Sequence, residues 1–208
     1  MSPHYRCDVE HWESMTDLIK TEVRETTGVI TLDRPKALNS LNHEMARAID
    51  ATLKQWRNDD AIAQVVVQSA GKHFCSGGDV RAAREGILDG RSTEVDAFFA
   101  DEYAMNLDIA NYPKPYIALC NGVIMGGGMG ISAHGSHMVV TEDAFASMPE
   151  MNIGYVTDVG MSWLLQNLPK RPSLPLGKFL ALTGYRLTPD DMLATGLATH
   201  KVATLDGV

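Results

Sequence analysis

The sequence predicts an α/β fold, and two observations carry the prediction. Short apolar or β-branched runs, such as Val65-Val66-Val67 and Tyr116–Cys120, alternate with stretches of helical periodicity. Two glycine-rich turns, Ser76-Gly77-Gly78-Asp79 and Met125-Gly126-Gly127-Gly128-Met129-Gly130, each follow such a run and open what reads as a helix.

The elements follow in order. Ile19–Glu25 and Val29–Asp33 read as two strands joined at Thr26-Thr27-Gly28, a hairpin signal, and Arg34-Pro35 stops the second. Leu41, Met45, Ile49, Leu53 and Trp56 recur at steps of four, four, four and three, the period of an amphipathic helix. Val65–Val67 is a buried strand leading into the first glycine turn. Phe98 to Ile109 is a second helix, and Tyr116–Cys120 a strand leading into the second turn. Met138–Thr141 reads as a short strand, Met161–Leu168 as a helix, Pro189–Leu193 as a helix start and His200–Val202 as a strand. No internal repeat is visible in the residues. A polar leader, 1–17, precedes a core domain over 18–208.

The composition bounds the function. The 208 residues are 45% hydrophobic and 21% charged, as in ordinary globular proteins. A net charge of −8 argues against nucleic-acid or anionic-membrane partners. A local cluster of Arg34, Lys36, Lys72, Arg81 and Arg84 is compatible with a phosphorylated ligand or with a plain solvated surface. Cys7, Cys75 and Cys120 are odd in number and widely spaced, which disfavours a disulfide framework or a zinc site and favours a reducing compartment. Cys75 and Cys120 sit in apolar runs and read as buried fillers. No apolar stretch approaches the roughly 20 residues that span a bilayer. The start of the chain lacks the order of a signal or transit peptide, so the cytoplasm is the default expectation.

Backbone N–H groups at a helix start lack intrahelical partners and carry partial positive charge. Two glycine turns that meet would offer two such donors to a developing oxyanion; tight strand-to-helix packing would also require the glycines. Two acids stand out. Glu150 follows an apolar stretch, where a carboxyl tends to hold its proton and suits acid–base work, though a helix-start acid reads the same way. Asp158 precedes Met161–Leu168 and reads equally as an N-cap. His73, His134, His137 and His200 show no metal-ligand spacing and read as structural or surface residues.

The order of motifs resembles one family. Asp33-Arg34-Pro35-Lys36-Ala37-Leu38-Asn39-Ser40-Leu41, Phe74–Asp79, Asn121-Gly122 with Met125–Gly128, and Met148-Pro149-Glu150 together resemble the crotonase (enoyl-CoA hydratase/isomerase) superfamily. Phe98-Phe99-Ala100-Asp101-Glu102-Tyr103 and Asp158-Val159-Gly160 are similar to its branch that hydrolyses 3-hydroxyacyl-CoA thioesters in valine breakdown. The resemblance implies a spiral of ββα units, with a C-terminal helical region beyond His200–Val202 that this sequence lacks. It implies coenzyme A as part of the substrate, no separate cofactor or metal, and a homo-oligomer, trimer or hexamer. The N–H groups of Gly78 and Gly127 would hold the thioester oxygen. Lys36, Ala37 and Leu38 would lie near the adenine, and Ser76 and Val80 along the pantetheine. Glu150 would act as base or nucleophile, with Asp158 and Glu102 binding the substrate hydroxyl or the water. Hydratases of the superfamily carry their first glutamate where this chain has Gly130. Hydration or isomerisation by Glu150 alone, and a non-catalytic CoA-binding or assembly subunit, are the alternatives.

Overall fold

The computed structural model describes residues 16–206, so Cys7 and nearly all of the polar leader lie outside the described residues. The chain enters on β1 (Ile19–Arg24), which pairs antiparallel with β2 (Thr27–Leu32) in the register Arg24↔Thr27. The turn is Glu25-Thr26, with Glu25 at φ 56°, and Gly28 lies inside β2 rather than in the predicted turn. Its glycine answers to packing instead, because a Cβ there would sit 2.6 Å from the Trp56 ring.

A 3-10 turn at Pro35–Ala37 leads to α1 (His43–Arg57), capped by Asn42 Oδ1, which accepts from Met45 N at 2.9 Å. The predicted face is the buried one, with Met45, Ile49, Leu53 and Trp56 all in the core. Next come β3 (Gln64–Ser69), α2 (Val80–Leu88) and α3 (Ser92–Ala110), which starts six residues before the predicted Phe98. Then β4 (Tyr116–Cys120) and β5 (Val123–Met125) lead to α4, a single turn over Gly127–Gly130. Beyond them lie β6 (His137–Thr141), β7 (Phe145–Ser147) and a 3-10 turn at Glu150–Ile153. The chain ends with α5 (Met161–Leu164), α6 (Leu174–Thr183), α7 (Pro189–Thr195) and β8 (His200–Val202).

The α-helix predicted over Met161–Leu168 stops at Leu164. Gln166 N and Asn167 N bond three residues back, to Trp163 O and Leu164 O, and Pro169 bars the α conformation for the residue before it. The residue pattern does not show α6, because Pro175 and Gly177 interrupt it. Proline is tolerated at a helix start, and Ser173 caps the helix by accepting from Leu176 N.

The main sheet has the order β1-β2-β3-β4-β6-β8 and is parallel from β2 onward. A second, small layer consists of β5 paired with β7, extended by the bridges Leu41↔Gly78, Cys75↔Ile124 and Ala146↔Leu187. Each turn of the chain lays one strand in the main sheet and one short segment in the second layer, then returns through helical structure. This is the expected α/β spiral, and its repeat lies in backbone geometry rather than in the residues. Ile30, Leu32, Val65, Val67 and Ala118 from the sheet meet the buried face of α1 and form the centre of the core. The predicted fillers Cys75 and Cys120 are free and fully buried.

Overpacking a filled core costs about 1–3 kcal/mol. Gly28→Val should therefore lower the thermal midpoint by several degrees by displacing Trp56, and Gly28→Ala by less, as read by circular dichroism.

Candidate functional site

The site is built where the two glycine turns run side by side. Cys75 N donates to Val123 O and Met125 N to Cys75 O, both at 3.0 Å, so the first turn is stitched to β5. Gly77 then takes φ 111°, a backbone closed to other residues, with Met125 O so near that a Cβ would lie 3.3 Å from it. A Cβ on Gly127 would lie 3.3 Å from Gly78 N. Among the described residues, the N–H groups of Gly78 and Gly127 donate to no protein acceptor. The packing reading belongs to the neighbouring Gly128, where a Cβ would meet Cys75 O at 2.6 Å.

Three acids converge on this corner. Glu102, from α3, is 2% exposed; its Oε1 has no hydrogen-bond partner and lies where a Cβ on Gly127 would approach to 2.5 Å. Burial, reinforced by the charge of Asp158, pushes the Glu102 carboxyl up to about 8. Glu150 opens the 3-10 turn after β7 and is 8% exposed, with Oε2 unpartnered and Oε1 facing Gly126. Burial, with a smaller push from Asp158, raises it to about 7. Asp158 is half-buried, and burial raises its proton affinity against the opposing hydrogen bond from Tyr103. No hydrogen bond among the described residues joins Glu150 to Glu102 or Asp158, so the acids share a field rather than a direct contact.

The N-cap reading of Asp158 does not hold. The cap position of α5 is Gly160, which makes no side-chain cap bond, and Asp158 Oδ2 instead accepts from Tyr103 Oη at 2.7 Å. Tyr103 Oη lies 3.3 Å from Tyr155 Oη, and the Tyr155 ring stacks on Phe99. The next residue, Val159, is buried at φ 43°, a conformation that strains a β-branched residue by about 1–3 kcal/mol.

Position 130 is closed to a side chain. A Cβ on Gly130 would lie 2.1 Å from Asn106 Oδ1 and 2.9 Å from Val159 Cβ. Asn106 donates from Nδ2 to Glu102 O at 2.6 Å, and its own Oδ1 is buried without a partner. Asn106 and Val159 thus stand where a side chain at position 130 would begin.

The residues expected along coenzyme A form one ridge beside the turns. Ser76 N donates to Leu38 O at 3.0 Å, Leu41 N to Gly77 O at 2.8 Å and Asp79 N to Leu41 O at 2.7 Å. Lys36, Leu38 and Val80 are exposed, and Ala37 and Ser76 are half-buried. Arg34 leaves the proposed basic cluster: its guanidinium bonds Asp79 Oδ2 at 2.8 Å and Ser40 Oγ at 2.9 Å. The fully buried Asn39 holds the loop by donating to Ala70 O and His73 O and accepting from Arg34 N.

Comparison with known proteins gives this corner its context. The enoyl-CoA hydratase/isomerase family model matches residues 27–206. The chain is 47% identical over 176 residues to the mitochondrial 3-hydroxyisobutyryl-CoA hydrolase of Danio rerio, covering 84% of this chain and 45% of the relative. It is 43% identical over 182 residues to the same-named human protein, covering 87% and 46%. A crystal structure of an enoyl-CoA hydratase from Rhodobacter sphaeroides superposes with a TM-score of 0.83 at 39% identity, covering 89% of this chain and 54% of that one. A carnitinyl-CoA dehydratase from Mycobacterium thermoresistibile gives 0.82 at 40%, covering 90% and 54%. The chain spans about half the length of these relatives. On the extent of the family match, the chain belongs to the enoyl-CoA hydratase/isomerase family.

Proposed function

We propose that this chain carries the active corner of an acyl-CoA thioester hydrolase acting on 3-hydroxyisobutyryl-CoA. The observation that carries the reading is the placement of buried, proton-retaining Glu102 and Glu150 around two backbone N–H groups that lack acceptors. The 3-hydroxyisobutyryl-CoA hydrolase relatives support the substrate class.

In this mechanism the Gly78 and Gly127 N–H groups hold the thioester carbonyl oxygen and stabilise the negative charge it acquires. Removing one such donor typically costs about 2.7–4 kcal/mol of barrier. Ionised Glu150 takes a proton from water as the water oxygen attacks the carbonyl carbon. The tetrahedral intermediate then collapses, the C–S bond breaks, and the proton passes to the departing thiolate. Direct attack by Glu150 gives a mixed anhydride that water opens, with the same products. Label in Glu150 after a single turnover in heavy-oxygen water marks the anhydride route with water attacking the Glu150 carbonyl, and a trapped acyl adduct on Glu150 marks that route whichever carbonyl water attacks. Protonated Glu102 and the Asp158 carboxyl serve the substrate's 3-hydroxyl, the first as donor and the second as acceptor. A site built to hydrogen-bond a hydroxyl rejects analogues lacking it.

Enoyl-CoA hydration is the second reading, favoured by the hydratase and dehydratase among the similar structures and opposed by the closed position 130. Products separate the two. Release of free thiol from 3-hydroxyisobutyryl-CoA, with no loss of enoyl absorbance from crotonyl-CoA, supports the hydrolase; the reverse pattern overturns it.

Glu150→Gln should lower kcat by about 10²–10⁴-fold while CoA-ester affinity stays within a few-fold, as read by thiol release and calorimetry. The pH profile follows from the two raised carboxyls. Glu150 works only when ionised, so kcat/KM should climb as pH rises through about 7. Glu102 donates only when protonated, so the rate should fall again above about 8. The result is a narrow bell whose limbs belong to the coupled acids together. Glu102→Gln keeps the donor without the titration and should remove the alkaline limb.

A further inference from the structure

Asp158 stands in a turn that its own sequence does not hold. Val159, next to it, is a β-branched residue at φ 43°, and no side chain caps the short helix that follows. Two side chains from distant parts of the chain grip this turn. His134, on the loop after α4, places Nε2 2.7 Å from Val159 O, where the ring nitrogen is the donor because a carbonyl only accepts. The same ring lies over Gly160, where a Cβ would meet it at 2.9 Å. Tyr103, on α3, donates its hydroxyl hydrogen to Asp158 Oδ2 at 2.7 Å. That hydrogen is its only one, so the 3.3 Å contact with Tyr155 runs the other way, with Tyr155 donating to Tyr103. Val159 Cβ lies 2.9 Å from where a Cβ on Gly130 of α4 would sit.

We propose that His134 and Tyr103 are positioning residues that clamp the Asp158–Gly160 turn from its backbone and its carboxylate, fixing where Asp158 faces the substrate. The catalytic part of this proposal rests on the hydrolase reading above; the clamp itself rests on the contacts alone. A strained backbone persists only where its surroundings over-determine it, and the His134 bond to Val159 O is such a constraint. In the hydrolase reading neither clamp residue is assigned to the reacting carbon; each acts through the Asp158 turn. Loss of either leaves the Gly78 and Gly127 donors and Glu150 in place and lets the Asp158 carboxylate wander. A misplacement of about 1 Å can cost about a hundredfold in rate.

The test uses the full chain with carboxyl-labelled aspartate, the Asp158 resonance being identified by its loss in Asp158→Asn. His134→Ala and Tyr103→Phe should each shift or broaden that resonance at fixed pH. His134→Gln, whose amide nitrogen reaches the same place as Nε2, should restore it, and His134→Asn, which is too short, should not. With 3-hydroxyisobutyryl-CoA, His134→Ala should lower kcat by about ten- to a hundredfold with KM within about threefold. In the Asp158→Asn background the same change should cost nothing further. An unmoved Asp158 resonance in both His134→Ala and Tyr103→Phe overturns the clamp. So does an equal loss of kcat with and without Asp158, which would mark a general structural role. Should His134→Ala fail to fold, the Gln and Asn variants and Tyr103→Phe decide the matter. A wild-type chain that releases no thiol would overturn the hydrolase reading, and the resonance would still decide the clamp.

Discussion

The site depends on one constraint, the side-by-side pairing of Cys75 with Val123–Met125 in the second layer of the spiral. Neighbouring strands lie about 4.7–4.9 Å apart, so two consecutive turns of the spiral bring their helix-opening residues within one strand spacing. A Cβ built on Gly127 would lie 3.3 Å from Gly78 N and 2.5 Å from Glu102 Oε1, so the two glycine turns and the α3 acid crowd one corner. A Cβ at position 127 would displace the Glu102 carboxyl and crowd Leu41 Cδ1 and Gly78 N. Each glycine contributes by what it omits. The backbone itself supplies the donors, which no side-chain substitution deletes directly.

The acids around this corner work against the fold. Glu102 Oε1, Glu150 Oε2 and Asn106 Oδ1 are buried with no partner among the described residues, and an unsatisfied buried polar group typically costs about 1–3 kcal/mol. The sign of the pH effect follows from the raised carboxyls. Glu102 and Glu150 ionise near 4.5 in the unfolded chain and near 8 and 7 in the fold, so across that window the fold binds more protons than the unfolded chain. Their contribution to stability is full below about 4.5 and falls as pH rises through the folded values. A ligand that offers a hydroxyl to these oxygens relieves the penalty on binding. Such strain is concentrated where a site needs polar groups held away from water.

Much of this was legible in the residues, where a local pattern has one physical cause. The four-four-four-three spacing from Leu41 to Trp56 predicts one helix; Met45, Ile49, Leu53 and Trp56 are the buried face of α1, and the buried Leu41 lies before it, in the bridge to Gly78. Where one pattern serves two causes, the sequence stays ambiguous. Gly28 signals a turn and a tight packing position with the same letter, and the Trp56 ring decides it. Asp158 before a helix signals a cap as readily as a tertiary acceptor, and Tyr103, 55 residues away, decides that. Asn106 and His134 carried no local signal at all. Asn106 matters through an oxygen beside Gly130, and His134 through a carbonyl 25 residues along the chain. Glu150 stands out by the apolar stretch before it, whereas Glu102 enters through motif order alone, because burial by distant segments leaves no periodic trace.

Position 130 links packing to chemistry. An acid on α4 would place a second titrating group on the same short helix that presents the Gly127 N–H. Here Asn106 and Val159 occupy that space, and the carboxyls come instead from α3, from the 3-10 turn after β7 and from the turn before α5. Glu150 is the only one of the three that is buried at a helix-turn start with both oxygens free of side-chain donors, which suits it to take a proton or attack a carbon. Asp158, half-buried and already accepting from Tyr103, suits a hydroxyl that needs an acceptor. The proposed hydrolysis needs one base beside two donors, with a separate acid–acceptor pair for the distal hydroxyl. The rival hydration reading would need a second proton-handling group from elsewhere, because a Cβ at position 130 would meet Asn106 Oδ1 at 2.1 Å and Val159 Cβ at 2.9 Å.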